Sequence, residues 1–408
     1  MMNGCAHPRP LDSEYMVALN VLHNRRRPQR PTEPANDESN PSGNGNPFVT
    51  PGLRGTPGIH GMTKWIQQLG YSVSKQLSHH HNILAKHRTL LLTRLQFADI
   101  NKLNIIHVAG TKGKGSTCAW AESFLRAHGK RTGFPEKTGL YTSPHLICPE
   151  ERIRINSEPL CKEKFARYVF EVWDHLLEQN DGDTSAPPRY LQLLLLVAFH
   201  AFISEGVQAA IIETHHGGEY DSTNVVDRPV ATVVTSLGMD HIEQLGPTIG
   251  NIAWHKAGIF KHGAHAFSAP QDSATAVEVL RRRASEKGVP LQLVSVDESL
   301  LPAGSTRLKP AVQMLNWSVG LAVAHHFLSR TTSEDSYEEG GVLDEDDIRR
   351  AVEAFSWPGR FQLVFEGHHE WYLDSAHNEM SVSRRPSGSL GVSVLSLAQA
   401  QKRDPSEP

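Results

Sequence analysis

Cysteine is scarce: 408 residues carry four, Cys5, Cys118, Cys148 and Cys161, with no C-x-x-C pair and no regular spacing. That excludes a disulfide framework and a thiolate zinc cluster, and fits reduced thiols inside a cell. An excess of either charge is also missing. With 41 basic and 44 acidic residues the chain has neither the field of a nucleic-acid binder nor an acidic tail. No apolar run is long enough to span a bilayer; the longest, residues 191–203, is broken by Gln192 and His200 and reads as a buried helix. A secretory core is lacking as well. Asp12 and Glu14 weigh against a transit peptide, so the expectation is cytoplasmic, with Arg25-Arg26-Arg27 leaving a mitochondrial form open. The 23 histidines are not spaced as ligands: His79-His80-His81 and His368-His369 sit in no metal-binding frame.

What is present is one glycine-rich turn, HVAGTKGKGST at residues 107–117. Residues 103–106 read as a short buried strand before it, and 118–128 as a helix after it. A turn so placed aims backbone N–H groups and a helix N-terminus at one anion. Lys114 would reach the outer phosphates of a nucleotide, and Ser116 or Thr117 would offer a hydroxyl to magnesium. The strict phosphate-loop pattern is not met, because Gly110 stands three residues before Gly113 and Gly115 follows the lysine. The setting between strand and helix still favours phosphate binding over a Gly/Lys-rich surface loop.

Along the chain, residues 12–23 have helical spacing, and 25–61 turn rich in Pro, Asn, Ser and Gly, as a solvated insertion would. Residues 62–71 return to helical spacing, and 83–97 repeat it behind the histidine run. The alternation at 152–155 predicts a strand with one charged face, whose Arg152 and Arg154 could meet substrate carboxylates. Helices are expected at 165–178, 189–204, 249–260, 273–288, 312–328 and 348–355, the fourth with Arg281-Arg282-Arg283 as a solvated face. Strands 209–212 and 230–235 end in Glu213 and in Ser236 to His241. Polar residues at the carboxyl ends of buried strands mark the ligand edge of a parallel sheet. Trp357-Pro358-Gly359-Arg360 marks a break, and strand 371–373 runs into Asp374-Ser375-Ala376-His377-Asn378. The order of elements from about 103 to 270 is that of a parallel α/β domain.

Taken in order, HVAGTKGKGST, GLYTSPHL, ERIRIN, GGEYDSTN, Asp240-His241, IAWHKAGIFK, WPGRFQ and LDSAHN resemble the folylpolyglutamate synthases, the folate branch of the Mur-ligase-like amide ligases. The resemblance runs from residue 62 to 378, with a weaker echo in 12–23. It implies an α/β fold: a parallel-sheet ATPase domain followed by a second α/β domain. It also implies transfer of the γ-phosphoryl of ATP to a folate carboxylate, and attack on the acyl phosphate by the amine of glutamate. Such chemistry asks the protein to position reactants and neutralise charge.

Carried over by residue, Gly110, Thr111, Lys112, Gly113, Lys114, Gly115, Ser116 and Thr117 would hold the triphosphate. Ser143, Glu213 and His241 match magnesium positions. Lys256 matches a lysine that members can carry as a carbamate, an oxygen ligand in place of a cation. Asn316 and Arg360 match nucleotide contacts, and Asp374 and His377 match the nucleotide and glutamate end, so Lys114, Asp374 and His377 are the expected catalytic set. The implied small molecules are ATP, Mg2+, a reduced folate and L-glutamate, with a monovalent cation such as K+ as an optional addition. A monomer without nucleic-acid or membrane partners is expected.

Departures accompany the match. His215-His216 replace small residues, His255 replaces an acid and Ser375 a glycine. Members continue for roughly another hundred residues past Ala-His-Asn, a domain's worth of chain. The expected organisation is therefore a helix and insertion at 1–61, an ATP-binding domain at 62–330, an incomplete glutamate-ligase domain at 331–380 and an atypical tail at 381–408. Dihydrofolate synthase is the alternative enzyme. An inactive, truncated ATP- or folate-binding protein is the alternative outside catalysis. A mechanical or signalling phosphate-loop NTPase would leave 374–378 unexplained.

Overall fold

The computed structural model describes residues 10–27, 57–72, 98–179, 187–296, 311–331, 343–360, 362–366 and 369–374. Its helices are α1 (Pro10–His23), α2 (Met62–Gln68), α3 (Lys114–Thr132), α4 (Lys162–Gln179), α5 (Tyr190–Glu205), α6 (Ile242–Leu245), α7 (Ile249–Lys256), α8 (Ala274–Glu286), α9 (Ala311–Thr331) and α10 (Glu345–Ala354). The strands are β1 (Tyr71–Ser72), β2 (Ala98–Asp99), β3 (Ile106–Ala109), β4 (Thr138–Tyr141), β5 (Ile153–Ile155), β6 (Glu158–Pro159), β7 (Ala209–Glu213), β8 (Ala231–Val234), β9 (His265–Ser268), β10 (Leu291–Leu293), β11 (Gln362–Glu366) and β12 (His369–Leu373).

Eight of these strands form one sheet in the order β10-β9-β8-β3-β7-β4-β5-β6. From β10 to β4 every pairing is parallel, and β5 and β6 extend the edge antiparallel. Alternation along the strands sorts side chains into two faces. Ile106, Val108, Leu140, Ile211 and Val233 face a core shared with α3, α9 and α10. Tyr141, Ala210 and Ile212 face the core of α1, α4 and α5, while Ala109, Val234 and Ala266 face that of α7 and α8. Helices on both faces leave the carboxyl ends of β3, β7 and β8 side by side, and that edge is where the site forms.

Several boundaries differ from the sequence expectation. The strand expected at 103–106 is a 3-10 turn, Ile100–Leu103, followed by β3, because Asn104 sits at φ 47 and turns the chain. Leu103 and Ile105 are apolar because they pack in the core, not because they are extended. The helix expected at 118–128 starts four residues earlier, at the end of the glycine turn. The charged strand at 152–155 keeps only Ile153–Ile155, with Arg152 in a 3-10 turn. The helix at 249–260 ends as α7 at Lys256 and tightens into a 3-10 turn, Ala257–Ile259. That at 348–355 starts at Glu345, capped by Asp344, whose side chain accepts from the Asp347 N–H at 2.6 Å.

Arg283 is not on a solvated face. Its guanidinium lies 4.5 Å over the Trp254 ring and pairs with Glu219. Residues 57–61, read as part of the insertion, are packed: Gln192 Nε2 donates to the carbonyls of Gly58 and His60. Helix α10, expected in the second domain, shares the core of α3 through Ile348, Ala351 and Val352. The expected helix at 83–97 and the histidine run at 79–81 lie outside the described residues.

Candidate functional site

The chain leaves β3 at Ala109 and turns through Gly110-Thr111-Lys112-Gly113 into α3. Gly110 and Gly113 have φ 148 and 84, and neither has room for a side chain. A Cβ at 110 would lie 1.8 Å from Thr235 Oγ1, and one at 113 would lie 2.2 Å from Asn316 Oδ1. The turn is braced from β8: Ser236 O accepts from the N–H groups of Thr111 and Lys112 at 3.0 and 3.1 Å. Thr235 Oγ1 donates to Lys112 O at 2.7 Å. Two of the eight expected triphosphate contacts therefore have their amides committed within the protein. The amides at the start of α3, from Lys114 to Ser116, stand in the first turn, where a helix has no partner of its own for them. They are the donors left for an anion.

Lys114 Nζ lies 3.7 Å from Glu213 Oε1, at the end of β7. Ser143 donates its backbone N–H to Glu213 Oε2 at 2.9 Å. Burial pushes the Glu213 carboxyl above its ordinary range, opposed by the nearby charges of Lys114 and Arg360. On the other flank Lys256 donates from Nζ to Gly110 O at 2.7 Å. Burial and the like charge of Lys114 pull Lys256 down to about 7. Gly218 permits this approach, since a Cβ there would lie 2.8 Å from Lys256 O. The adjacent Glu219 N–H donates to His255 O and fixes the end of α7.

The remaining expected residues arrive from α9 and from the Trp357 turn. Asn316 Oδ1 accepts from Thr117 Oγ1 at 3.4 Å. Trp357 lies over Gly115, and Leu146 of the β4–β5 loop packs against Gly359. Arg360 is drawn below its ordinary value by burial, opposed by Glu213 and Asp374. Asp374 thus stands within electrostatic reach of Arg360, and also of Lys112. His377 lies outside the described residues.

His241 is more loosely placed, 41 % exposed in its side chain and stacked edge-on to His216 with ring centroids 4.4 Å apart. Among the described residues no group of three or more His, Cys, Asp or Glu side chains is spaced to hold a metal by itself. Magnesium asks for less than that: one or two carboxylates, with substrate phosphates and water completing the shell. Glu213, buried among donors at the strand end, fits that use. Ser116 adds a hydroxyl without a hydrogen-bond partner among the described residues.

Arg152 and Arg154 are held within the protein. Arg152 Nε donates to His145 Nδ1 at 2.8 Å, and Arg154 to the carbonyls of Glu151 and Ser157. Thr235 was not singled out from the sequence, because a threonine at a strand end looks like any β-former. The residues lining a cavity beside the site, Arg25, Arg26, Arg27 and Arg189, were missed as well. The run at 25–27 had left a transit peptide open and had read as the start of a solvated insertion, and Arg189 as the start of a buried helix.

No family model matches the chain. It is 44 % identical over 285 residues to folylpolyglutamate synthase of Neurospora crassa, covering 68 % of this chain and 53 % of that protein. It is 38 % identical over 341 residues to the human folylpolyglutamate synthase named mitochondrial, covering 76 % and 57 %. The chain thus spans about half the length of the curated relatives it matches. Among solved structures, Mycobacterium tuberculosis folylpolyglutamate synthase complexed with ADP superposes with a TM-score of 0.63 at 20 % identity, over 92 % of this chain and 72 % of that one. The sheet order, the turn braced by Thr235 and Ser236, and these similarities agree: the chain belongs to the folylpolyglutamate synthase family.

Proposed function

We propose that this chain is an ATP- and magnesium-dependent ligase that joins L-glutamate to the γ-carboxylate of a reduced folate. The observation that carries it is the meeting of Lys114, Glu213 and Lys256 around one glycine turn, in a chain 44 % identical to a folylpolyglutamate synthase. Residues 62–330 would form the ATP-binding domain, and the β11–β12 hairpin would begin the domain that meets glutamate.

A carboxylate is a poor electrophile because it is already an anion. Phosphoryl transfer from ATP gives it a leaving group, and the amine of glutamate then displaces phosphate to form the amide. The amides of Lys114 to Ser116 and the Lys114 ammonium would hold the phosphates. Arg360 would oppose the charge that gathers on the transferring group. Glu213 and Ser116 would hold magnesium, with Ser143 and His241 beside them; the ion, when bound, neutralises phosphate charge.

Lys256 is suited to carbamylation because burial favours its neutral amine. That amine attacks carbon dioxide, loses a proton, and keeps one N–H for Gly110 O. Lys256→Ala is expected to lower turnover at least tenfold; an unchanged rate would remove the carbamate from the mechanism. To test the ligase reading, the purified chain is given ATP, glutamate and either tetrahydrofolate or dihydropteroate, and products are weighed by mass spectrometry. Glutamylated tetrahydrofolate supports it. Turnover of dihydropteroate alone would make the protein a dihydrofolate synthase, and ATP binding without product would make it a binding protein.

A further inference from the structure

Arg154, expected to meet a substrate carboxylate, is turned instead toward the loop that carries Arg360. Its guanidinium lies over the Trp357 ring, 5.0 Å from the ring centre. Its donors are taken up as well: Nε bonds to Glu151 O and Nη1 to Ser157 O, both at 3.0 Å. A planar group stacked on a ring, with its fork bonded, is fixed in a way that a lysine cannot copy.

Both acceptors belong to a stiff frame. The Glu151 carboxylate accepts from the N–H groups of Leu146, Ile147 and Cys148, which locks the end of the β4–β5 loop. Asn156 and Ser157, at φ 51 and 69, make the two-residue turn between β5 and β6. That turn is pinned to α3, because the buried Glu122 carboxylate accepts from the Ser157 N–H and hydroxyl, each at 2.8 Å. The seat of Arg154 is therefore tied to the helix that opens at the phosphate turn.

Trp357 and Arg360 are the two ends of one tight turn. The Arg360 N–H donates to Trp357 O at 3.3 Å. Pro358 and Gly359 fill the middle, with Gly359 at φ 67, the order that a type II turn asks for. The Trp357 ring also meets the first turn of α3, where a Cβ at Gly115 would lie 3.5 Å from it. Two residues earlier, Phe355 stacks on Trp120 of α3 with ring centroids 3.4 Å apart. Arg360, at the far corner, stands within electrostatic reach of Glu213.

We infer that Arg154 is a positioning residue: stacked on Trp357, it holds the turn that aims Arg360 at the transferring phosphoryl group. The inference rests on the ligase reading above, in which Arg360 opposes the charge on that group. Without Arg154 the turn keeps its internal hydrogen bond but loses its seat. A reacting group displaced by about 1 Å can cost on the order of a hundredfold in rate, and smaller shifts cost less.

The test is steady-state kinetics on the full chain with ATP, glutamate and tetrahydrofolate, in Arg154→Leu, Arg360→Ala and the double variant. Arg154→Leu is expected to lower kcat about tenfold while the KM for ATP stays within about twofold. In the Arg360→Ala background the same change should lower kcat less than about twofold, because the group being aimed is already gone. A merely structural role would cost the same factor in both backgrounds, and that result would overturn the inference. Trp357→Leu removes the contact from the other side and should lower kcat by a similar factor. An unchanged kcat in folded Arg154→Leu or Trp357→Leu protein would overturn the inference too. Binding of ADP with aluminium fluoride, a mimic of the transferring phosphoryl group, needs no product. By calorimetry, Arg154→Leu should weaken that complex about tenfold and ADP alone less than about twofold. Equal weakening of both would overturn the inference. If the unaltered chain forms no glutamylated product but shows this difference, the ligase reading fails and the positioning role stands.

Discussion

A single methyl group at position 113 has nowhere to go. It would stand 2.2 Å from Asn316 Oδ1, on a backbone at φ 84 that costs a residue with a side chain roughly 1–2 kcal/mol. Gly113→Ala should therefore shift the start of α3 and weaken ATP binding about tenfold, read by calorimetry while circular dichroism stays unchanged. Lys114→Ala should weaken it further, because it also leaves Glu213 buried without its cation. ATP affinity unchanged in both variants would remove the turn from nucleotide binding. The glycines and Lys114 were legible because their spacing has a direct backbone meaning. The bracing of the turn by Thr235 and Ser236 was not, since it runs through a side-chain hydroxyl and a carbonyl that only the sheet order brings to the turn. Lys256 lay between: the sequence marked a lysine in an apolar helix, and only the structure gives it Gly110 O as an acceptor.

At the scale of elements, α10 is held on α3 by a buried carboxylate. Asp347 accepts from Arg131 and Arg350, and its net shift is below the ordinary range because these partners outweigh burial. Asp347→Ala removes the buried partner of both arginines, leaving them Asp344 alone, and should cost about 2 kcal/mol, seen as a lower urea midpoint. A change below half that size would mean α10 is held by its apolar face alone. The expected organisation, with its boundary at 330, put α10 in the next domain. What decides its place is the spacing of Ile348, Ala351 and Val352, three and four apart and facing Trp120 and Phe124 in one core. The same limit applied to Arg283: charge suggested solvent, but a partner 64 residues away and a tryptophan ring make burial favourable.

For the whole molecule, the parallel sheet was legible from apolar strands alternating with helices, and the ligand edge from polar residues after four of them. The antiparallel edge, the two-faced core and the arginine-lined cavity depend on contacts distant in sequence, which periodicity does not carry. One consequence concerns acid. Burial holds His107 and His216 down to about 3, and His145, His255 and His326 to about 4. Between those values and the ordinary 6.5 the unfolded chain binds more protons. The histidines' share of stability should therefore be full above about pH 6.5 and fall as pH drops, by up to about 1.4 kcal/mol per pH unit for each histidine engaged. Glu122 and Glu213, raised by burial, act in the opposite sense but are fewer. Urea midpoints from pH 8 to 5 should decline, and less steeply in His107→Gln; a flat profile would show that these imidazoles are not buried in solution.

The central claim is that ATP is spent on a carboxylate at this turn. The direct measurement uses a reduced folate labelled with oxygen-18 in its γ-carboxylate, turned over with ATP and glutamate. One labelled oxygen should appear in inorganic phosphate for each glutamate added, because the carboxylate oxygen leaves with the phosphoryl group. Phosphate released without label would contradict the acyl-phosphate route and the function built on it.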